Sequence, residues 1–297
     1  MDRLAISELT TFRWSFEEDV ARYQAAGIRG IGVWRQKLAD VGEQRGAALI
    51  RDAGLTTVSL QWAGGFTGSD GHSHLESLAD ARAAIATAAT LQAGCLIIHS
   101  GARGVHTHNH ARRLFRQALK KLLPVAEERG VKLAVEPMHG DCGGDFTFLN
   151  CFDETLELIA ECDSPALGIA LDTFHWGHQP LLLEQLPALV PHLALVQLGG
   201  ARKPPKGEPN RCPLGAGTIP LREIVQGLVA AGYEGCFEVE LMGEDVEMAD
   251  YGDLLARSRR TFQEWIQGVP RSDVGSQRSE LRDQKSEIRS QKSELRV

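Results

Sequence analysis

No run of this sequence approaches the roughly 20 consecutive apolar residues that a membrane span requires. The amino terminus, MDRLAISELTTFRW, has no apolar stretch behind a basic segment. The chain is therefore expected to need no membrane and to work in the cytoplasm. Cysteine is sparse and unpatterned: Cys95, Cys142, Cys151, Cys162, Cys212 and Cys236 form no CxxC pair and have no zinc-finger spacing. That argues against a disulfide framework and suits a reduced compartment. An excess of positive charge is also missing. The formal net charge is −7, so no nucleic-acid partner held by phosphate neutralisation is expected. Finally, the first apolar run is followed by TTFRWSFEE and not by a glycine-rich nucleotide fingerprint, which speaks against a doubly wound dinucleotide fold.

What is present is material for a large core. Hydrophobic residues make up 43% of the 297, enough for an enzyme-sized folded body. Short runs of β-branched and aliphatic residues predict strands at 4–6, 31–34, 57–61, 96–99, 132–136, 168–172, 195–197 and 237–241. Helical patterns lie between them, among them SFEEDVARYQAAG, HLESLADARAAIATAATLQAG and LREIVQGLVAAG. Ser15 and Asp153 read as helix starts, and Gly27, Gly54, Gly130 and Gly232 as helix stops. Eight strands alternating with helices over about 265 residues is the count and length of an α/β protein of the (β/α)8 TIM barrel class.

The carboxyl end differs from this body. Residues 1–268 carry the barrel pattern, while 269–297 contain SQRSELR, DQKSEIR and SQKSELR, a seven-residue repeat with one apolar residue per unit. A coiled-coil seam needs two apolar positions per heptad, so the segment is expected to be a solvated or weakly helical appendage. Truncation after Gly268 should accordingly leave melting temperature and turnover nearly unchanged. A loss of several degrees, or a new elution volume on sizing, would show that the repeat packs on something.

The active sites of parallel barrels form at the carboxyl ends of the strands. Here those ends carry His99, Glu136, Asp172 and Gln197, with Glu238 and Glu240 on the last strand. Carboxylates at the ends of apolar strands are costly to bury unless paired or bound to a cation. Several converging on one barrel mouth point to a divalent metal with oxygen ligands.

These residues resemble the sugar isomerase/epimerase barrels related to xylose isomerase, tagatose 3-epimerase and hydroxypyruvate isomerase. LAVEPMH is similar to the strand-five glutamate motif of that family, ALDTFHWGH to its D-x-x-H motif, and PLGAGTIPLREIVQGLVAAGYEGCFEVE to its approach to the strand-eight glutamate. The resemblance implies metal ligands at Glu136, Asp172, Gln197 and Glu240. Gln197 stands where the family has a histidine, and Gly199 and Gly200 stand where an acidic residue is usual. Three carboxylates and one amide should favour Mn2+ or Mg2+ over Zn2+.

The resemblance further implies Glu136 and Glu240 as the acid/base pair and a substrate contact from Arg202. His175 is expected near the substrate or the metal, and His99 and Trp62, which follow strand ends, are expected to line the substrate pocket. Glu238, one inward layer deeper than Glu240, is expected to be a structural partner. The expected partner is a small sugar-like substrate, with homo-oligomer formation left open. The expected reaction is isomerisation or epimerisation through an enediolate. The alternatives are an inosose dehydratase-type lyase and a catalytically silent sugar-binding barrel. A DNA-repair nuclease of the endonuclease IV type is disfavoured by the acidic body and the glutamine on strand seven.

Overall fold

The computed structural model describes residues 3–267, so the heptad repeat lies outside the described residues. Eight parallel strands close into one barrel in sequence order. They are β1 (Leu4–Ser7), β2 (Gly30–Trp34), β3 (Thr56–Ala63), β4 (Cys95–Ile98), β5 (Leu133–Val135), β6 (Leu167–Asp172), β7 (Leu193–Leu198) and β8 (Phe237–Val239). Each predicted strand overlaps one of these. The ladder closes where β8 pairs with β1, with Ala5 opposite Glu238.

The pleat explains which residues reach the mouth. Ala5, Cys95, Ile97, Ala134, Ala170 and Leu195 pack together inside the barrel. Since side chains alternate along a strand, the residue two positions further on faces the same interior one layer higher. That residue is Ser7 on β1, His99 beyond β4, Glu136 beyond β5, Asp172 on β6 and Gln197 on β7. The intervening residues, such as Ile6, Ile98, Val135 and Leu171, face outward into the much larger core between strands and helices. The barrel interior also needs a small residue beside Glu238. A Cβ on Gly32 would lie 2.3 Å from Glu238 Oε2, so glycine on β2 makes room for a carboxylate arriving from β8.

Helix ends follow the expected punctuation with one exception. Ser15 forms a full capping box with Glu18 at the start of helix Phe16–Ala25, and Gly130 ends helix His108–Arg129 with φ of 67°. Asp153 does not cap: Cys151 occupies the cap position, and Asp153 sits in the first turn of helix Phe152–Cys162, where its charge favours the helix dipole. Short helices at Gly140–Gly143, Thr173–Trp176 and Glu244–Glu247 follow β5, β6 and β8 and were not predicted. Their four-residue lengths leave no hydrophobic period to read. No described helix is long and apolar enough to cross a membrane.

Candidate active site

A cavity of about 180 Å³ opens at the carboxyl ends of the strands. Gln61, Trp62, His99, Glu136, His175 and Glu240 line it. One wall is aromatic: the Trp62 indole stacks on the His99 ring with centroids 5.4 Å apart, and Phe146 meets both edge-on. His99 Nε2 in turn lies 2.9 Å from Glu136 Oε2. Both side chains are buried, so the contact fixes the glutamate's position. Burial alone would raise the Glu136 pKa. The hydrogen bond from His99 and the positive charge nearby outweigh it, and the group is held below the usual carboxylate value.

Glu240 experiences the opposite balance. Its Oε2 accepts from Gln61 Nε2 at 2.8 Å and from Gln197 Nε2 at 2.6 Å. Burial raises its pKa, Arg211 lowers it, and Asp172, Glu136 and Glu238 add to the rise, leaving it at about 8. Glu238, fully buried beneath, accepts from Ser59 Oγ at 2.5 Å, from Gln61 Nε2 at 2.9 Å and from Gln197 Nε2 at 3.3 Å. Burial pushes it to about 7. These contacts tie β3, β7 and β8 together below the cavity, the partnership expected of Glu238.

The guanidinium in this cavity belongs to Arg211, which sequence reasoning did not single out. Its side chain is buried, with Nη2 2.7 Å from Asp172 Oδ2 and 3.2 Å from Glu240 Oε1. Nη1 donates to the Glu240 carbonyl at 3.0 Å, and the group lies over the Phe174 ring, 5.0 Å from its centroid. Burial opposes its charge, but Asp172, Glu240 and Glu136 more than compensate and raise its pKa. The loop that carries it is pinned on both sides. Arg211 N donates to Met242 O at 2.8 Å and Cys212 N to Gly200 O at 2.9 Å. A Cβ on Gly199 would lie 3.1 Å from Arg211 Cδ and equally close to the Glu240 carbonyl. The glycine on β7's exit is thus the feature that admits the arginine. An arginine inside PKGEPNRCP carries no strand-end or periodic signal, which is why it was not anticipated. Arg202, expected to touch substrate, lies instead on the exposed rim, its Nε 2.9 Å from Asp245 Oδ2.

His175 is buried in the cavity wall, its Nε2 3.8 Å from Asp172 Oδ2 and its Nδ1 3.3 Å from Cys142 Sγ. Burial lowers its pKa, which keeps the ring neutral and available as a ligand. Asp172 Oδ1 accepts from the Phe174 amide at 2.8 Å.

Glu136, Asp172 and His175 each direct a ligand atom to within 4.8 Å of the others, a spacing that fits one divalent cation. The donor set implied by the resemblance is only partly assembled in this way. Glu240 stands outside that cluster, turned toward Arg211 and the two amides. Gln197 offers its N–H groups to the glutamates, while its Oε1 is buried without a hydrogen-bond partner. One imidazole and two carboxylates form a harder set than a thiolate site and a softer one than an all-oxygen site.

A search of curated proteins finds no match. Solved structures do match along nearly the whole barrel. A protein of Sinorhizobium meliloti 1021 is 26% identical with a TM-score of 0.82, the alignment covering 90% of this chain and 99% of that one. The IolI protein, solved with a bound zinc atom, is 18% identical with a TM-score of 0.77, over 90% and 99% of the two chains. An L-ribulose 3-epimerase is 20% identical with a TM-score of 0.75, over 95% and 98%. The family model described as xylose isomerase-like TIM barrel matches residues 20–265. With eight parallel strands closed in order and carboxylates gathered at their carboxyl ends, the chain belongs to the xylose isomerase-like TIM barrel family.

Proposed function

We propose that this chain is an isomerase or epimerase of a small polyhydroxy aldehyde or ketone, working through an enediolate with Glu136 and Glu240 as its two acid/base groups. The observation that carries this reading is the pairing of two buried carboxyl groups from β5 and β8, facing one cavity, with a guanidinium between Asp172 and Glu240. Relatives of the same fold that carry the names of sugar epimerases support the substrate class.

The chemistry is a proton transfer at the carbon beside a carbonyl. One glutamate, ionised, takes the C–H proton. The bonding pair becomes the new C=C bond, and the carbonyl oxygen takes up negative charge. Arg211, which lines the same cavity, would contribute a fixed positive charge toward it. The second glutamate, protonated, then delivers a proton. Delivery to the opposite face of the same carbon inverts it, whereas delivery to the former carbonyl carbon, with the neighbouring hydroxyl proton passing to the former carbonyl oxygen, interconverts aldose and ketose. Glu136, Asp172 and His175 are the residues that would hold a divalent cation, which when bound would act as a Lewis acid toward the substrate oxygens. Trp62 offers an apolar face to the sugar's C–H surface, with His99 behind it.

The test is conversion. Purified protein incubated with a panel of ketoses, aldoses and inosose, with Mn2+ or Mg2+ present, should turn over at least one polyhydroxy carbonyl compound to an isomer of equal mass. A product lighter by one water would instead indicate a dehydratase. Saturable binding with no conversion of any member of the panel would indicate a sugar-binding barrel and contradict the proposal.

A further inference from the structure

We propose that Arg211 is a built-in cation that shares Asp172 with a divalent ion, so that guanidinium and ion compete for that carboxylate. The inference rests on the reading above that Glu136, Asp172 and His175 hold such an ion. It goes further in assigning the arginine a role toward it.

Three observations carry it. First, Arg211 Nη2 contacts Asp172 Oδ2 at 2.7 Å and Glu240 Oε1 at 3.2 Å. Asp172 belongs to the cluster that fits a cation here, and Glu240 holds the guanidinium against it. An ion coordinated by Asp172 would lie beside the guanidinium, and two positive charges at that range repel strongly in a buried site. Second, the β7 side chain beside these carboxylates contributes no charge of its own. Gln197 is neutral and uses its amide N–H groups toward Glu238 and Glu240. Third, the exit of β7 is built to admit the arginine: Gly199 leaves space that a Cβ would fill against Arg211 Cδ, Arg211 Nη1 and the Glu240 carbonyl. The buried Nε of Arg211 has no hydrogen-bond partner, so the contacts that hold the guanidinium here are those of its Nη atoms to Asp172 and Glu240. Arg211 is thus a positioning and charge-balancing residue whose removal should leave Asp172 to the ion.

The experiment measures Mn2+ affinity by calorimetry on wild type and on Arg211→Met, each stripped of metal beforehand, alongside melting temperature with EDTA and with excess Mn2+. Arg211→Met should bind Mn2+ at least about tenfold more tightly than wild type. It should melt below wild type in EDTA, because two buried carboxylates lose their cation, and should regain most of the difference in Mn2+. If the methionine variant fails to fold under both conditions, Arg211→Lys serves. A lysine cannot reach both carboxylates as a fork, so its affinity should lie above wild type by a smaller factor. Equal or weaker Mn2+ affinity in the variant, with normal affinity in wild type, would overturn the competition while leaving the cation site intact. A lowered melting temperature that Mn2+ does not restore would reduce Arg211 to a structural role. No Mn2+ binding by any form would overturn the cation reading and this inference with it.

Discussion

Glu136→Gln and Glu240→Gln should each lower turnover by about 10²–10⁴-fold, the usual contribution of a positioned acid or base, while shifting substrate affinity far less. The amide keeps the shape and one carbonyl oxygen but can neither take nor carry the transferred proton. The two substitutions should differ in their structural effects. Glu136 accepts from His99 Nε2, and a glutamine there can still accept through its oxygen. Glu240 accepts two amide N–H groups and faces Arg211. A glutamine there has a single acceptor oxygen for donors on both sides, so Glu240→Gln should also cost stability. Steady-state kinetics at saturating Mn2+, together with melting curves, separate loss of chemistry from loss of fold. Turnover within about threefold of wild type for either variant would remove that glutamate from the acid/base pair.

The second large effect lies outside the cavity, in the charged network that anchors β1. Lys37 Nζ donates to Asp19 Oδ2 at 2.5 Å and to the Thr11 carbonyl at 2.9 Å. Asp19 Oδ1 accepts from Thr11 Oγ1 at 2.6 Å, and the Tyr23 hydroxyl lies 2.6 Å from the same Thr11 oxygen. Glu8, beside them, accepts from the Trp34 amide at 2.7 Å through Oε2, while Oε1 has no partner. The ion pair is almost completely enclosed, with side-chain exposures of 7% for Lys37 and 0% for Asp19. Lys37→Met would leave a buried carboxylate without its cation and should cost about 3–5 kcal/mol.

The loss should depend on pH. Burial raises Asp19 from its ordinary 3.8 to about 6 despite Lys37, and burial, reinforced by Asp19, raises Glu8 as well. A raised folded-state value means the folded chain holds the proton more firmly than the unfolded one. The resulting stabilisation is complete below the ordinary value and lost as pH rises through the folded one. Without Lys37, which lowers the Asp19 value, that loss should extend further upward. Lys37→Met should therefore be hurt most near about pH 8 and least near about pH 5. Urea midpoints at the two pH values test this, and a pH-independent loss would show that the network stays neutral.

Much of the barrel was legible because its signals are local and repeated. Each apolar run ending in His99, Glu136, Asp172 or Gln197 declared a strand, and the period of two fixed which residues share the interior. The short helices after β5, β6 and β8 were not legible, since one turn leaves no periodicity. Neither was Arg211. Its place depends on a loop that returns between Gly200 and Met242, a long-range arrangement that residue spacing does not encode. The expectation for Arg202 came from counting along the chain after β7, and the loop PPKGEPN brings a later arginine inward instead.

The most direct test of the proposed two-glutamate reaction takes a ketose that the purified protein is found to epimerise, incubates both in D2O and follows the product by NMR. If one carboxyl group keeps the proton it removes and a different one delivers its own proton to the opposite face, the inverted carbon of the product must carry hydrogen from a solvent-exchanged carboxyl. The expected result is one deuterium at that carbon in essentially every product molecule. Product that keeps the substrate's own hydrogen at the inverted carbon would contradict transfer through Glu136 and Glu240.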